Sequence, residues 1–133
     1  MRLEIVALYA GVNILLLLFL AFRVPGLRRK NQVSLGDGGN PELLRAVRAH
    51  GNASEYIPAG LVGLTLIAFL DPALPLWAVH VAGATLTLGR ILHAAGLAAG
   101  DLNFGRIAGT VLTFVSFLFM GAALIYAGAS QAL

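Results

Sequence analysis

The stretch most able to do chemistry is "RAVRAHGNASEYIP", Arg45 to Pro58, directly before the apolar run "AGLVGLTLIAFL". On a helix, at roughly 100° per residue, Arg45, Arg48, Asn52, Glu55 and Tyr56 fall within an arc of about 100°. They make one polar stripe, and His50 lies well off it. Pro58 follows one turn below Glu55, where its missing N–H disturbs the helical ladder. Further on, "GRILH" sets Arg90 and His93 three residues apart, on one face of another helix. Arg106 stands at the start of the last apolar segment, where a cation opposes the helix dipole unless an anion is held there. Together these side chains suit a small zwitterionic or polyanionic ligand with several carboxylates. Simpler uses stand beside that reading. Arg45, Arg48 and Arg106 could anchor helix ends by reaching the headgroups, and Arg90 could pair with Glu55. An ionisable group inside an apolar helix is nevertheless a functional candidate by default.

Other chemistries are not represented. The chain has no cysteine, which excludes disulfides and thiolate metal sites. It has no glycine-rich phosphate loop followed by lysine, no nucleophile–base pair, and no histidine–carboxylate cluster suited to a metal. A sequence pI near 10.0 could point to nucleic acid. The basic residues, however, gather beside apolar segments and form no soluble basic surface, so no nucleic-acid partner is expected.

The elements that must position these residues follow from composition. Of 133 residues 59% are hydrophobic and 11% charged, with a mean hydropathy of +0.86. Soluble domains are near half apolar and a quarter charged. The class is therefore all-α integral membrane, with the bilayer as partner. A membrane-crossing helix needs roughly 20 mainly apolar residues, and the chain has room for four in a single domain. Expected helices cover residues 3–23, 41–70, 76–97 and 104–127. Arg23, Pro25 and Gly26 are expected to end the first, and the polar, glycine-rich segment after them reads as a loop. The first helix is too long for a signal-peptide core and reads as retained. Asn40 and Pro41 are cap and first-turn residues of the second helix, "DPALP" is a tight turn, and "AAGDLNFG" is the third connection. Arg28, Arg29 and Lys30 load the first connection, whereas the second holds only Asp71. By the positive-inside rule the first and third connections are cytoplasmic and both termini periplasmic, which fits a bacterial inner membrane. Gly60, Gly63, Gly83, Ala84, Gly109 and Gly121 recur where membrane helices approach closely, and so small a bundle is a candidate homo-oligomer.

The run "RAVRAHGNASEYIP", preceded by "GDGG" and followed by "GRILH", resembles the MAPEG family, membrane-associated proteins in eicosanoid and glutathione metabolism. The short bacterial members are the most similar, and the likeness covers nearly the whole chain. It implies a homotrimer of four-helix subunits that binds glutathione between subunits. The implied activity is glutathione transfer or peroxidase chemistry on a lipophilic second substrate; the alternative is a binding or scaffold protein without turnover. The resemblance assigns Arg48, Asn52, Glu55 and Tyr56 to the glutathione-contacting motif, with Arg45 beside them. His93 matches the histidine of the third helix, Arg90 the arginine before it, and Asp37 an acidic residue of the first loop. Arg106 matches the arginine that stabilises the glutathione thiolate, a role consistent with a guanidinium lowering a thiol pKa. Ile107, Thr110 and Leu97 stand where the prostaglandin synthase branch has a serine and two tyrosines. Gly26 replaces a glutathione-contacting arginine of that branch, so Arg23 or Arg28 would have to substitute.

Overall fold

The computed structural model describes residues 2–70 and 74–132, with side chains described through Ser130. Four helices fill it: α1 (Arg2–Asn31), α2 (Pro41–Phe69), α3 (Leu76–Ala99) and α4 (Phe104–Ala132). The expected turn at Asp71 lies outside the described residues. The main departure from the sequence reading is the length of α1. It does not stop at Arg23 but continues through Pro25 to Asn31. At 1.5 Å per residue α1 is about 45 Å long, so its last turns extend past a hydrocarbon core about 30 Å thick. Arg28, Arg29 and Lys30 occupy its last turn and complement the negative end of the helix dipole. The chain then reverses through Gln32, Gly36, Gly38 and Gly39, all with positive φ.

The start of α2 is fixed by two side-chain bonds. Asn40 Oδ1 accepts from the Leu43 N–H at 2.9 Å, an N-cap with Pro41 at the first helical position. Asn40 Nδ2 also donates to Asn31 Oδ1 at 2.9 Å and so ties the end of α1 to the start of α2. The helix runs unbroken past Pro58.

In the bundle α2 and α3 form the middle, and each touches α1 and α4. Among the described residues α1 and α4 do not meet. One core layer gathers Ile5, Val6, Leu64, Ile67, Val79 and Met120. A second, toward the opposite end, gathers Leu20, Ala49, Ala53, Ile57, Ala94 and Leu97. Long apolar side chains also point outward, among them Leu8, Leu15 and Phe22 of α1 and Phe114, Leu118 and Ile125 of α4. Such exposure is untenable in water but normal against lipid. Helices α1, α3 and α4 are long and apolar enough to cross a membrane. Helix α2 falls short on its own, because its apolar half, Tyr56 to Phe69, spans only about 20 Å. Its polar half therefore depends on the other helices for partners.

The closest approach is between α3 and α4. A Cβ on Gly89 would overlap Thr113, one on Gly96 would overlap the backbone of Arg106, and one on Gly109 would overlap the backbone of His93. Small residues permit backbone contact here, as membrane helix pairs require. Polar ties reinforce the bundle. Asn13, fully buried in α1, donates to the Tyr9 carbonyl at 2.8 Å and to Thr87 Oγ1 of α3 at 2.7 Å. Ser116 of α4 donates to the Ala82 carbonyl of α3 at 2.9 Å.

Candidate functional site

The polar stripe of α2 is divided by its neighbours. Arg45, Asn52 and Tyr56 are partly buried, whereas Arg48 and Glu55 remain exposed. The inner edge of the stripe meets Arg90, a residue only 3% exposed. Arg90 Nη1 donates to Asn52 Oδ1 at 2.6 Å, and Arg90 Nε donates to Thr113 Oγ1 at 3.0 Å. Thr113 accepts freely because its own hydroxyl proton goes to the Gly109 carbonyl at 2.8 Å. The guanidinium carbon also lies 5.0 Å from the centre of the Tyr56 ring. That ring is held in turn by Phe114 and Phe117, at centroid distances of 6.1 and 5.8 Å.

The ion pair open to Arg90 and Glu55 by charge does not form among the described residues. Asn52 and Glu55 differ by about 60° around the helix, and Asn52 is the one turned toward α3. Three helices thus neutralise one cation with dipoles and a π face and no carboxylate. A buried charge requires hydrogen-bond partners or a π face of that kind.

One turn beyond Arg90 the character changes. His93 and Arg106 share a groove of about 260 Å³ with Leu102, Ile107, Thr110 and Val111. Arg106 is located through its backbone. Its N–H donates to Asn103 Oδ1 at 3.2 Å, and its carbonyl accepts from Thr110 Oγ1 at 2.9 Å. Asn103 Nδ2 donates to the Gly96 carbonyl at 2.8 Å and so joins the end of α3 to the start of α4. The Arg106 side chain itself has no hydrogen bond or ion pair among the described residues. Helix-terminal N–H groups and a free guanidinium together make this end of α4 attractive to an anion.

The remaining predicted residues lie elsewhere. Asp37 is a turn residue: its Oδ1 accepts from the Gly39 N–H at 3.0 Å and its carbonyl from the Asn40 N–H at 2.9 Å. Arg28 lies near the end of α1 beside Arg29, Gln32 and Ser34, with one buried Nη1 unpartnered. Neither lines the His93–Arg106 groove. Leu97 is buried in the core and takes no part in the groove. Thr113 and Asn103 were missed by the sequence reading, although both carried a signal. Thr113 continues the spacing Arg106, Thr110, Thr113 along one helix face, and Asn103 is a cap residue just before Phe104.

The model of the MAPEG family matches residues 6–126. The inner membrane protein YecN of Escherichia coli K12 is 46% identical over 87 residues, which is 65% of this chain and 65% of that protein. YecN of strain O6:H1 matches to the same extent. The match therefore spans just under two thirds of either relative's length. With four helices, apolar outer faces and a family match over most of its length, the chain belongs to the MAPEG family.

Proposed function

We propose that the protein binds glutathione at the His93–Arg106 groove and uses it on lipophilic electrophiles or hydroperoxides that enter from the bilayer. The observation that carries this reading is the free guanidinium of Arg106, fixed at the start of α4 beside His93. None of the six residues lining that groove is acidic. Glutathione brings two carboxylates, an ammonium group and the reacting thiol. Arg106 favours the thiolate over the thiol, and Leu102, Ile107 and Val111 offer the apolar second substrate a path from the lipid side. Catalysis of this kind rests on positioning and charge stabilisation and needs no protein nucleophile.

Arg48 and Glu55 are exposed on the subunit at the outer edge of the stripe, and charged groups at that depth require protein or water. Their exposure supports a homotrimer in which they face a neighbouring copy, with Arg28 and Asp37 brought from the first connection of that copy. Arg28, Arg29 and Lys30 at the end of α1 and Arg106 at the start of α4 support a cytoplasmic site and periplasmic termini. The names of the Escherichia coli relatives support the inner membrane as the location. The reading is tested by stopped-flow ultraviolet absorbance of the thiolate, with a generic electrophile assay alongside. Thiolate absorbance and conjugation are expected; absence of both in the intact assembly overturns it.

A second reading, binding without turnover, is favoured by one observation. Thr110, the polar neighbour of Arg106 on α4, commits its hydroxyl proton to the helix backbone, and Ile107 offers no hydroxyl at all. That reading expects saturable glutathione binding by calorimetry with no conjugation.

A further inference from the structure

Away from the proposed glutathione groove, α1 and α3 enclose a second groove of about 340 Å³. Leu16, Phe19 and Leu20 line its α1 wall, and Ala94, Ala95 and Ala98 line the facing wall of α3. The groove exists because alanines on α3 stand opposite long side chains on α1. Its only charged residue is Arg23, partly buried at one end. No hydrogen bond or ion pair engages Arg23 among the described residues.

Depth gives the groove a direction. Arg23 stands about 30 Å along α1 from Arg2, close to the thickness of the hydrocarbon core. Its guanidinium therefore lies at headgroup level on the side where α1 and α3 both end. Leu16 and Ile91 lie about two turns deeper, at the level of acyl chains. The long axis of the groove thus runs from a lone cation into hydrocarbon, in the order headgroup then chain.

We infer that this groove is a binding site for one anionic phospholipid, with its phosphate on Arg23 and an acyl chain between Leu16, Leu20 and Ala95. Charge complementarity selects the occupant. The lining has one cation and no carboxylate, so a zwitterionic lipid leaves its own cation unmatched, whereas an anionic lipid does not. A water-soluble anion would gain nothing from the apolar length of the groove. Arg23 serves here as a lipid ligand, distinct from an anchor that merely reaches the interface.

Spin-labelled phosphatidylglycerol and phosphatidylcholine, in vesicles of mixed phosphatidylcholine and phosphatidylglycerol containing the whole protein, provide the test. The wild type immobilises phosphatidylglycerol in preference to phosphatidylcholine. Arg23→Gln lowers that preference about fivefold, whereas Arg29→Gln, an exposed arginine at the same end of α1, leaves it unchanged. The double change Ala95→Leu and Ala98→Leu fills the groove at lipid-facing positions that tolerate leucine, and it reduces the immobilised fraction of both lipids. Equal effects of Arg23→Gln and Arg29→Gln overturn the proposal in favour of general surface charge. An unchanged immobilised fraction in the filled variant, or displacement of the lipid by inorganic phosphate, overturns it as well.

Discussion

Arg90 and Arg106 stand on adjacent helices in the same end of the bundle, yet they are held in opposite ways. Arg90 is buried, with Asn52, Thr113 and the Tyr56 ring all committed to its guanidinium. Arg106 is fixed by its backbone, through Asn103, Thr110 and the absent side chain of Gly96, while its guanidinium is left open. A cation engaged by such partners orders the protein around it. One whose donors are free can act on a ligand. The pair therefore separates an engaged cation from an open one by the partners each keeps, a distinction that residue type alone does not make.

Exchanging the two roles gives the largest expected effects. Arg106→Ala is expected to lower conjugation by roughly 10²- to 10³-fold, the usual cost of removing one charge-stabilising donor, while thermal stability changes by no more than about 0.5 kcal/mol. Thiolate absorbance and a melting curve on the same preparation check both halves. Arg90→Met should do the reverse in stability. It strands Asn52 and Thr113 without their charged donor and costs about 3 kcal/mol, since hydrogen bonds to charged groups are worth about 1.5–3 kcal/mol each. Arg90→Lys recovers only part of this, because an ammonium cannot serve two divergent acceptors and lie flat on a ring as well. A stable Arg90→Met protein would show that the three-helix junction is not held by this cation.

The sequence made the helices legible through long apolar runs and through Asn40–Pro41. It misplaced the end of α1 because a proline near a membrane surface does not by itself end a helix; its freed carbonyl still has water and headgroups available. The stripe on α2 was legible as a face, since angular spacing depends only on residue number. Its division into an inner edge with Asn52 and Tyr56 and an outer edge with Arg48 and Glu55 was not, since that depends on where α3 lies. The same missing information made Glu55 the natural partner for Arg90, by charge, where depth and direction select Asn52. Asn13 was passed over because a single asparagine does little to the hydropathy of α1; only burial exposes its bond to Thr87.

A smaller effect is expected where the free arginine is positioned. Gly96→Ala introduces a methyl group against the backbone of Gly105 and Arg106 and against the Asn103 Oδ1 that caps it. Overpacking of this kind costs about 1–3 kcal/mol. Here it also displaces the start of α4, so turnover should fall with stability, unlike the clean separation expected for Arg106→Ala. Gly121→Ala, where nothing lies within 4 Å, is the matched control and should be neutral.

The smallest effect sharpens the comparison most, because it isolates positioning from packing. The Asn103 side chain makes three bonds: its Oδ1 accepts from the Arg106 N–H, and its Nδ2 donates to the Gly96 carbonyl of α3 and to the nearby Asp101 carbonyl. Asn103→Asp keeps the acceptor and loses the donor with its two bonds, whereas Asn103→Ala loses all three. If the cap alone holds Arg106, the aspartate variant should retain both stability and turnover, while the alanine variant loses about 1 kcal/mol, the ordinary cost of an N-cap. If the bridge to α3 matters, aspartate should melt close to the wild type, because a carboxylate still caps the helix. Its turnover should nonetheless fall toward that of alanine, because α4 is no longer tied to the end of α3. Parallel melting curves and turnover numbers for the two variants decide between these outcomes. Aspartate also sets a negative charge one turn from Arg106, so Asn103→Ser, a neutral cap without the amide donor, must follow the aspartate variant for the bridge to be the cause.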